Sequence, residues 1–578
     1  MVVDGESVEA LPGQSVAAVL MAAGRDSWRT TRNAGRPRGV FCGIGACFDC
    51  LVTVNGTPDV RACQRVVQPD DSISSQPGAV LPSADSGSIR PRRESSDSAA
   101  RFVRGVVVVG AGPAGMEAAV AAASAGVEVL LVDAAPAVGG QFNRQLPTEF
   151  HARRPERLQH GWGAFVRLRD RIAADERIDH LTSTSVWALE RGSGRTRLWL
   201  QRGPADASGR EIFAVEAPAV VLATGAYDRV LPFPGWDLPG VYSAGAAQAL
   251  AKGQRIAIGR RVVVAGTGPF LLPVAESLIG VGAEVVELLE ANRPSTVARG
   301  WLSDPLVAVS KLAEAGGYAR LLAGRRIPLR HGRTVIAAHG TDRVEAVTTA
   351  RLDNNWTPIR GTERRVEVDA VCLGFGFTPQ LELALSARCK LGTGPDGASA
   401  VIVDANQQTT TPGIYAAGEL TGIGGAALAA TEGQIAGASA AALAGASDAA
   451  TAEASSSTPF SVPAELWKRV VRGRRFAVAL ARAYPVMPGW KSWSDGGTLV
   501  CRCEEVSRGA LEGVVSRREV GGGRSFALSS RVGLGLCQGR VCARTAGELA
   551  GVQQSDNRPI AQPVRLEDLA KAEILEDL

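Results

Sequence analysis

Apolar and polar positions along the chain alternate between short buried runs and helical stretches. GVVVV at 105–109 is continuously apolar, the pattern of a strand covered on both faces. A glycine-rich turn, an alanine-rich helical segment and a second apolar run ending at Asp133 follow it. The same order recurs in RRVVVAGTGPFLLPVAESLIGVGAEVVELLE at 260–290. In both copies the first turn glycine precedes the glycine before the second strand by 16 residues, Gly110 to Gly126 and Gly266 to Gly282. Two dinucleotide-type folds in one chain are the simplest account. Segments at 185–217 read as β-hairpins. Ser15–Ala23 reads as a short helix after a Pro-Gly turn. Residues 464–484 place Leu466, Val470, Ala477 and Leu480 on one helical face, with Gly473 weakening the pattern.

Composition adds boundaries. The 578 residues are 45% apolar and 21% charged, which excludes wholesale disorder. No apolar run is long enough to span a membrane, and the acidic start MVVDGESVEA is unlike a signal peptide, so a cytoplasmic protein is the default expectation. Net charge is +5, with arginines scattered and no basic block interleaved with aromatics, so nucleic-acid binding has little support. Ser/Pro-rich stretches mark linkers at 81–103 and 446–461. The expected units are 1–80, 104–255 with 366–445 around a second dinucleotide fold at 256–365, a helical connector at 462–498, a small domain at 499–552 and a tail at 553–578, the last predicted to hold a short acidic helix.

The first glycine turn carries chemistry. Gly110, Gly112 and Gly115 form G-x-G-x-x-G, with Pro113 and Ala114 opening the helix. The glycines permit a tight turn, backbone approach to a pyrophosphate and close helix–strand packing. Asp133 ends the next strand, where a carboxylate meets ribose hydroxyls. In the second turn Gly266 and Gly268 are kept, but Leu271 takes the third glycine position. Leu289 aligns with Asp133 and Glu290 lies one residue further, so the acid is expected off register. NAD, another adenine nucleotide or an empty fold all remain open there.

Ten cysteines fall mostly into two clusters. Cys42, Cys47, Cys50 and Cys63 have the C-x4-C-x2-C spacing of plant-type 2Fe-2S ligands. Cys501, Cys503, Cys537 and Cys542 form C-x-C-x33-C-x4-C. A second 2Fe-2S cluster is the leading reading for this group, with zinc the alternative. Cys372 and Cys389 stand alone and read as buried structural thiols, which argues against disulfide reduction. The five histidines form no ligand motif.

Further segments carry a resemblance. Gly139-Gly140-Gln141, Ala223-Thr224-Gly225 and GIYAAGE at 413–419 resemble the characteristic segments of glutathione-reductase-like flavoproteins, an α/β class with two dinucleotide-binding domains. That resemblance implies FAD on the first fold, with Gly140, Gln141, Thr224, Gly225, Gly418 and Glu419 beside it. Glu419 stands where the family carries Asp, one methylene shorter. Residues 1–80 resemble β-grasp ferredoxin domains, and CQGRVC at 537–542 resembles the small helical bacterioferritin-associated-ferredoxin-like domain, whose final spacing is C-x2-C. With GFGFTPQ at 374–380 and AAGELTGIGG at 416–425, the whole order resembles the α (A) subunits of heteromeric amine dehydrogenases: sarcosine oxidase, D-hydroxyproline dehydrogenase, opine oxidase and hydrogen cyanide synthase.

The resemblance implies an electron-transfer subunit. Its partner would be an FAD-containing β subunit that oxidises an amino or imino acid, with a downstream acceptor and, in some members, FMN between subunits. Two other readings stand beside it. One is a self-contained NAD(P)H-dependent reductase, suggested by the second fold. The other is a redox sensor or assembly scaffold.

Overall fold

The computed structural model describes residues 1–79, 101–102, 105–192, 194–449, 460–517, 520, 522–553 and 560–571. Most of the two linker segments and the end of the tail lie outside the described residues. Of the acidic tail helix, Leu566–Lys571 is described.

The N-terminal domain is a five-stranded mixed sheet in the order Glu6–Ser7, Val2–Val3, Ser72–Ser74, Leu51–Val54, Thr57–Arg61. The helix Val16–Ala22 starts where Ser15 Oγ accepts from the Ala18 N–H at 3.2 Å, satisfying one orphan donor. It buries Val16, Ala17 and Leu20 against Val52, Val60 and Ile73. That core continues into Ala246, Ala247 and Leu250 of the helix Ala244–Gln254, so the domain is welded to its neighbour by apolar contact.

The first dinucleotide fold is a five-stranded parallel sheet ordered Ile178–Leu181, Val129–Val132, Val106–Val109, Ala219–Leu222, Ile414–Ala416. Val106–Val109 is buried at all four positions, which is why it reads as an unbroken apolar run. The helix Pro113–Ser124 packs against Ala426–Ala449 through small residues. A Cβ on Gly433 would lie 2.1 Å from the Ala114 carbonyl oxygen, and one on Gly437 would lie 2.1 Å from that of Ala118.

The second fold repeats this plan with Val241–Ser243, Ala370–Gly374, Arg261–Gly266, Glu284–Glu290 and Leu329–His331, again all parallel. Antiparallel sheets flank both folds, one built from Thr184–Arg191, Thr196–Arg202 and Glu211–Ala217, the other from Arg333–His339, Ala346–Arg351 and Arg364–Glu367. Next comes the helix Ala464–Ala483, buried at Val470 and Ala477. Gly473 is there because a Cβ would meet Leu428 Cδ1 at 2.7 Å. Leu499–Cys501, the loop through Cys537 and the helix Ala543–Ala550 close a small domain around Val500, Leu511, Phe526 and Ala546.

Candidate functional site

A cavity of about 3010 Å³ runs from the first glycine turn to the N-terminal cysteine loop. It is lined by Gly110, Gly112, Pro113, Ala114, Asp133, Gly140, Gln141, Thr224, Gly225, Gly418 and Glu419. Gly115 lies beneath, where a Cβ would sit 1.7 Å from the Gly110 carbonyl oxygen. Only glycine lets the helix approach the strand so closely. Gly112 is the N-cap of the helix Pro113–Ser124, whose first turn carries no acid, so its free N–H groups face the cavity as an anion seat. Gly140, at φ +60°, packs 2.8 Å from Gly112 when given a Cβ, so the second segment presses on the first.

Asp133 accepts from the Ala111 N–H at 2.5 Å and the Ala135 N–H at 2.7 Å. Burial pushes its carboxyl up, against those two N–H groups. Thr224 donates to the Gln380 carbonyl at 2.9 Å and anchors its strand end. Glu419 is more informative. Its Oε1 accepts from the Gly425 N–H at 2.9 Å, while its Oε2 is buried without a partner. Burial raises this carboxyl to about 7, with Glu432 adding repulsion. A buried carboxylate oxygen left open beside a cavity fits a polyhydroxyl ligand such as a ribityl chain.

The same cavity is lined by Ile44, Gly45, Ala46, Arg61 and Cys63 of the N-terminal domain. The cysteine loop is docked here: the Ser243 N–H donates to the Phe41 carbonyl at 2.9 Å, and a Cβ on Gly43 would meet Ala246 Cα at 3.2 Å. Arg61 grips Asp206 at 2.6 and 2.7 Å and donates to the Gly45 carbonyl at 2.6 Å. Arg144 is a second cation whose charge acts on both Cys63 and Asp133. Cys42, Cys47 and Cys50 are buried and Cys63 is partly exposed. N–H groups of Ala46 and Cys47 point at Cys42 Sγ at 3.3 Å. Cys63 is pulled down to about 7, first by Cys50 and then, against burial, by Gln64 and Arg61. Four thiols met by inward N–H groups fit a two-iron cluster, which takes two thiolates on each iron.

The C-terminal group is adjacent. Phe48, between Cys47 and Cys50, packs on Cys503 and Cys537 with Leu51. Arg502, between Cys501 and Cys503, forms a buried ion pair with Asp49 at 2.7 Å and lies over the Phe41 ring at 4.1 Å. Arg540, inside the CQGRVC loop, reaches back to the cavity wall, 2.9 Å from both the Tyr227 hydroxyl and Glu382. Here the sulfur contacts form a continuous chain: Cys542–Cys501 3.6 Å, Cys501–Cys503 3.7 Å and Cys503–Cys537 3.8 Å. The sulfurs are held thiol against thiol. Among the described residues no three His, Cys, Asp or Glu side chains already form an ion cage, so metal entry in either group requires thiol protons to leave and sulfurs to adjust. Arg61, Arg144, Arg502 and Asp49 escape sequence reasoning, because isolated charges carry no spacing signal. Arg540 could be suspected from its place between two cysteines.

The second fold differs. Glu290 is not off register. A bulge opposite Val262–Val263, between Val285 and Glu287, absorbs the extra residue and sets Glu290 opposite Gly266. It thereby occupies the place that Asp133 holds opposite Gly110. Its carboxylate is closed off, however: it accepts from Thr267 Oγ at 2.7 Å and from the Gly268 and Asn292 N–H groups at 2.9 and 2.8 Å. Asn292 also donates to the Pro485 carbonyl at 3.1 Å, so the connector crosses beside it. Glu290 is 3% exposed, and burial raises it to about 7. The helix begins only at Leu271, two positions later than Pro113 in the first fold, and Leu271 packs over Gly374. Cys372 and Cys389 are both buried and free.

These features define a two-dinucleotide-fold flavoprotein with an FAD-binding oxidoreductase domain, joined to an iron–sulfur domain. Residues 104–445 match the model for pyridine nucleotide-disulphide oxidoreductases, and residues 1–78 match that for a 2Fe-2S iron-sulfur cluster binding domain. The chain belongs to the pyridine nucleotide-disulphide oxidoreductase family. An opine oxidase subunit from Agrobacterium tumefaciens (strain Ach5) is 31% identical over 479 residues, spanning 80% of this chain and 91% of that protein. Hydrogen cyanide synthase subunit HcnB of Pseudomonas aeruginosa is 30% identical over 447 residues, 75% of this chain and 90% of the other. In fold, L-proline dehydrogenase from P. horikoshii superposes with a TM-score of 0.67 at 19% identity, covering 98% of this chain and 96% of that one. Among the described residues no helix is long and apolar enough to cross a membrane.

Proposed function

We propose that this chain is the electron-transfer flavin and iron–sulfur subunit of a heteromeric dehydrogenase acting on an amino or imino acid. The observation that carries this reading is the shared cavity: Cys63 and the loop 44–46 line the same space as Gly112, Asp133 and Glu419. The opine oxidase and hydrogen cyanide synthase relatives are themselves named as subunits, which supports a partner that meets the substrate. That partner would be an FAD-containing β subunit, and the sarcosine, hydroxyproline, opine and glycine class defines the candidate substrates.

FAD, when bound, accepts electrons in pairs and releases them singly, which suits a chain whose other centres take one at a time. Gly110, Gly112 and the helix start at Pro113 would hold the pyrophosphate. Asp133 would accept from the ribose, and Glu419 Oε2 from the ribityl hydroxyls. Arg61 and Arg144 place positive charge where negative charge arrives at the N-terminal thiolates, and so favour its arrival. The closed Glu290 and late helix start weaken the reading of a self-contained NAD(P)H reductase.

The test is an anaerobic reduction of the full chain, alone and co-expressed with its genomic neighbours. Co-purification with a second flavoprotein, and amino-acid-driven bleaching only in the complex, are the expected results. Fast bleaching of the isolated chain by NADH or NADPH would sink the proposal.

A further inference from the structure

We propose that Arg502, carried by the C-terminal domain, is a positioning residue that sets the reduction potential of the iron–sulfur centre in residues 1–78, acting through Asp49 and Phe41. Each of these partners flanks N-terminal cysteines. Asp49 lies between Cys47 and Cys50, and Phe41 directly precedes Cys42. Arg502 Nε donates to Asp49 Oδ2 at 2.7 Å, and the guanidinium lies 4.1 Å from the centre of the Phe41 ring. The Asp49 N–H in turn donates to Cys47 Sγ at 3.5 Å. Arg502 is 6% exposed and Asp49 1%, so water screens neither charge as it would at the surface.

The rest of the interface holds Arg502 in place. Its Nη1 donates to the Trp236 carbonyl at 2.7 Å, and the Trp236 indole N–H donates to the Leu499 carbonyl at 2.7 Å, which closes a loop back to the strand Leu499–Cys501. Beside it Glu505 accepts from Thr31 Oγ at 2.7 Å and from the Asn33 and Ala34 N–H groups at 2.9 and 3.1 Å. Phe48 holds a left-handed φ of +61°, a strained backbone for an aromatic residue, and packs against Cys503 and Cys537. Strain of this kind persists only where the neighbours over-determine it.

Charge balance gives the sign of the effect. Asp237, next to Trp236, forms a second buried ion pair with Arg38 at 3.3 Å, so each carboxylate here is matched by a guanidinium. Reduction brings one negative charge to the centre. Removing the Asp49 charge leaves Arg502 unpaired and favours that arrival. Removing Arg502 leaves the Asp49 carboxylate facing it and opposes it.

The test is a mediated dithionite titration of the full chain, read by EPR of the iron–sulfur signal that Cys47→Ser abolishes. Only the centre of residues 1–78, on which this rests, is needed, and neither the partner subunit nor its substrate. Asp49→Asn should raise the midpoint and Arg502→Gln should lower it, each by a roughly tenfold change in the reduction equilibrium, about 59 mV for one electron. Arg502→Lys keeps the charge and should move the midpoint much less, while losing thermal stability with the guanidinium contacts. An ion pair that only pins the domains together would lower thermal stability in both charge-removing variants and shift the midpoint in neither, or in both the same way, and either result overturns the proposal. Where Asp49→Asn fails to fold, the sign of the shift in Arg502→Gln decides alone. An unmodified chain with no dithionite-reducible iron–sulfur signal would overturn the reading of residues 1–78, and this assignment with it.

Discussion

The two βαβ units follow the same strand–turn–helix–strand order, yet they treat their turns in opposite ways. In the first, three glycines bring the helix Pro113–Ser124 onto the strand, and Asp133 borders the cavity. In the second, Leu271 fills the third glycine position, the helix starts two residues later, and Glu290 is consumed by Thr267, Gly268 and Asn292. Both turns keep their acid opposite the first glycine. The difference teaches that the acid's position is not enough. A dinucleotide seat also needs an early helix N-terminus and a carboxylate with spare acceptor capacity.

The largest test of this comparison is Gly115→Ala. The added Cβ would stand 1.7 Å from the Gly110 carbonyl oxygen, so helix and strand must part. A stability loss of about 3 kcal/mol and near-complete loss of flavin are expected. Thermal unfolding and flavin absorbance per chain measure both. A variant that retains flavin would break the assignment of the first turn.

Glu290 supplies the next test. Its folded pKa of about 7 lies above the ordinary 4.5, so the folded chain holds this proton more tightly than the unfolded chain. Its contribution is therefore most favourable below pH 4.5 and declines as pH rises to about 7. At 1.36 kcal/mol per unit the decline is about 3 kcal/mol. Glu290→Gln should flatten that part of the stability–pH curve and leave flavin content unchanged. Denaturant midpoints at about pH 5 and about pH 8 decide it, and an unchanged slope would count against the buried, saturated carboxyl.

The smallest effect is expected at Asp133. Asp133→Asn keeps the shape but removes a charged acceptor, so flavin affinity should fall roughly tenfold, about 1.4 kcal/mol. Titration of the flavin-stripped chain measures it. Equal losses in Glu290→Gln and Asp133→Asn would erase the distinction between the two folds.

Much of the site is legible in the sequence. Gly110, Gly112 and Gly115 can be read because a tight turn and a close helix leave no choice of residue. The C-terminal cysteine grouping can be read from sequence, and the structure brings Cys501 and Cys503 against Cys542 and Cys537 at 3.6 and 3.8 Å. The register of Glu290 cannot be read by counting residues, since counting assumes an unbroken strand and the bulge at Val285–Glu287 breaks it. Asp49 and Arg502 lie 453 positions apart, and nothing local announces their ion pair.

Local backbone demands are therefore written into the sequence by itself: where the chain turns, which glycines cannot be replaced, and which thiols lie close together. Only the tertiary structure decided that Cys63 opens onto the cavity of Gly112, that Phe48 touches Cys537, and that Glu290 is already satisfied. The physical reason is range. Steric and hydrogen-bonding rules within a turn act over a few residues, whereas the meeting of two centres depends on how whole domains bury their apolar faces against one another.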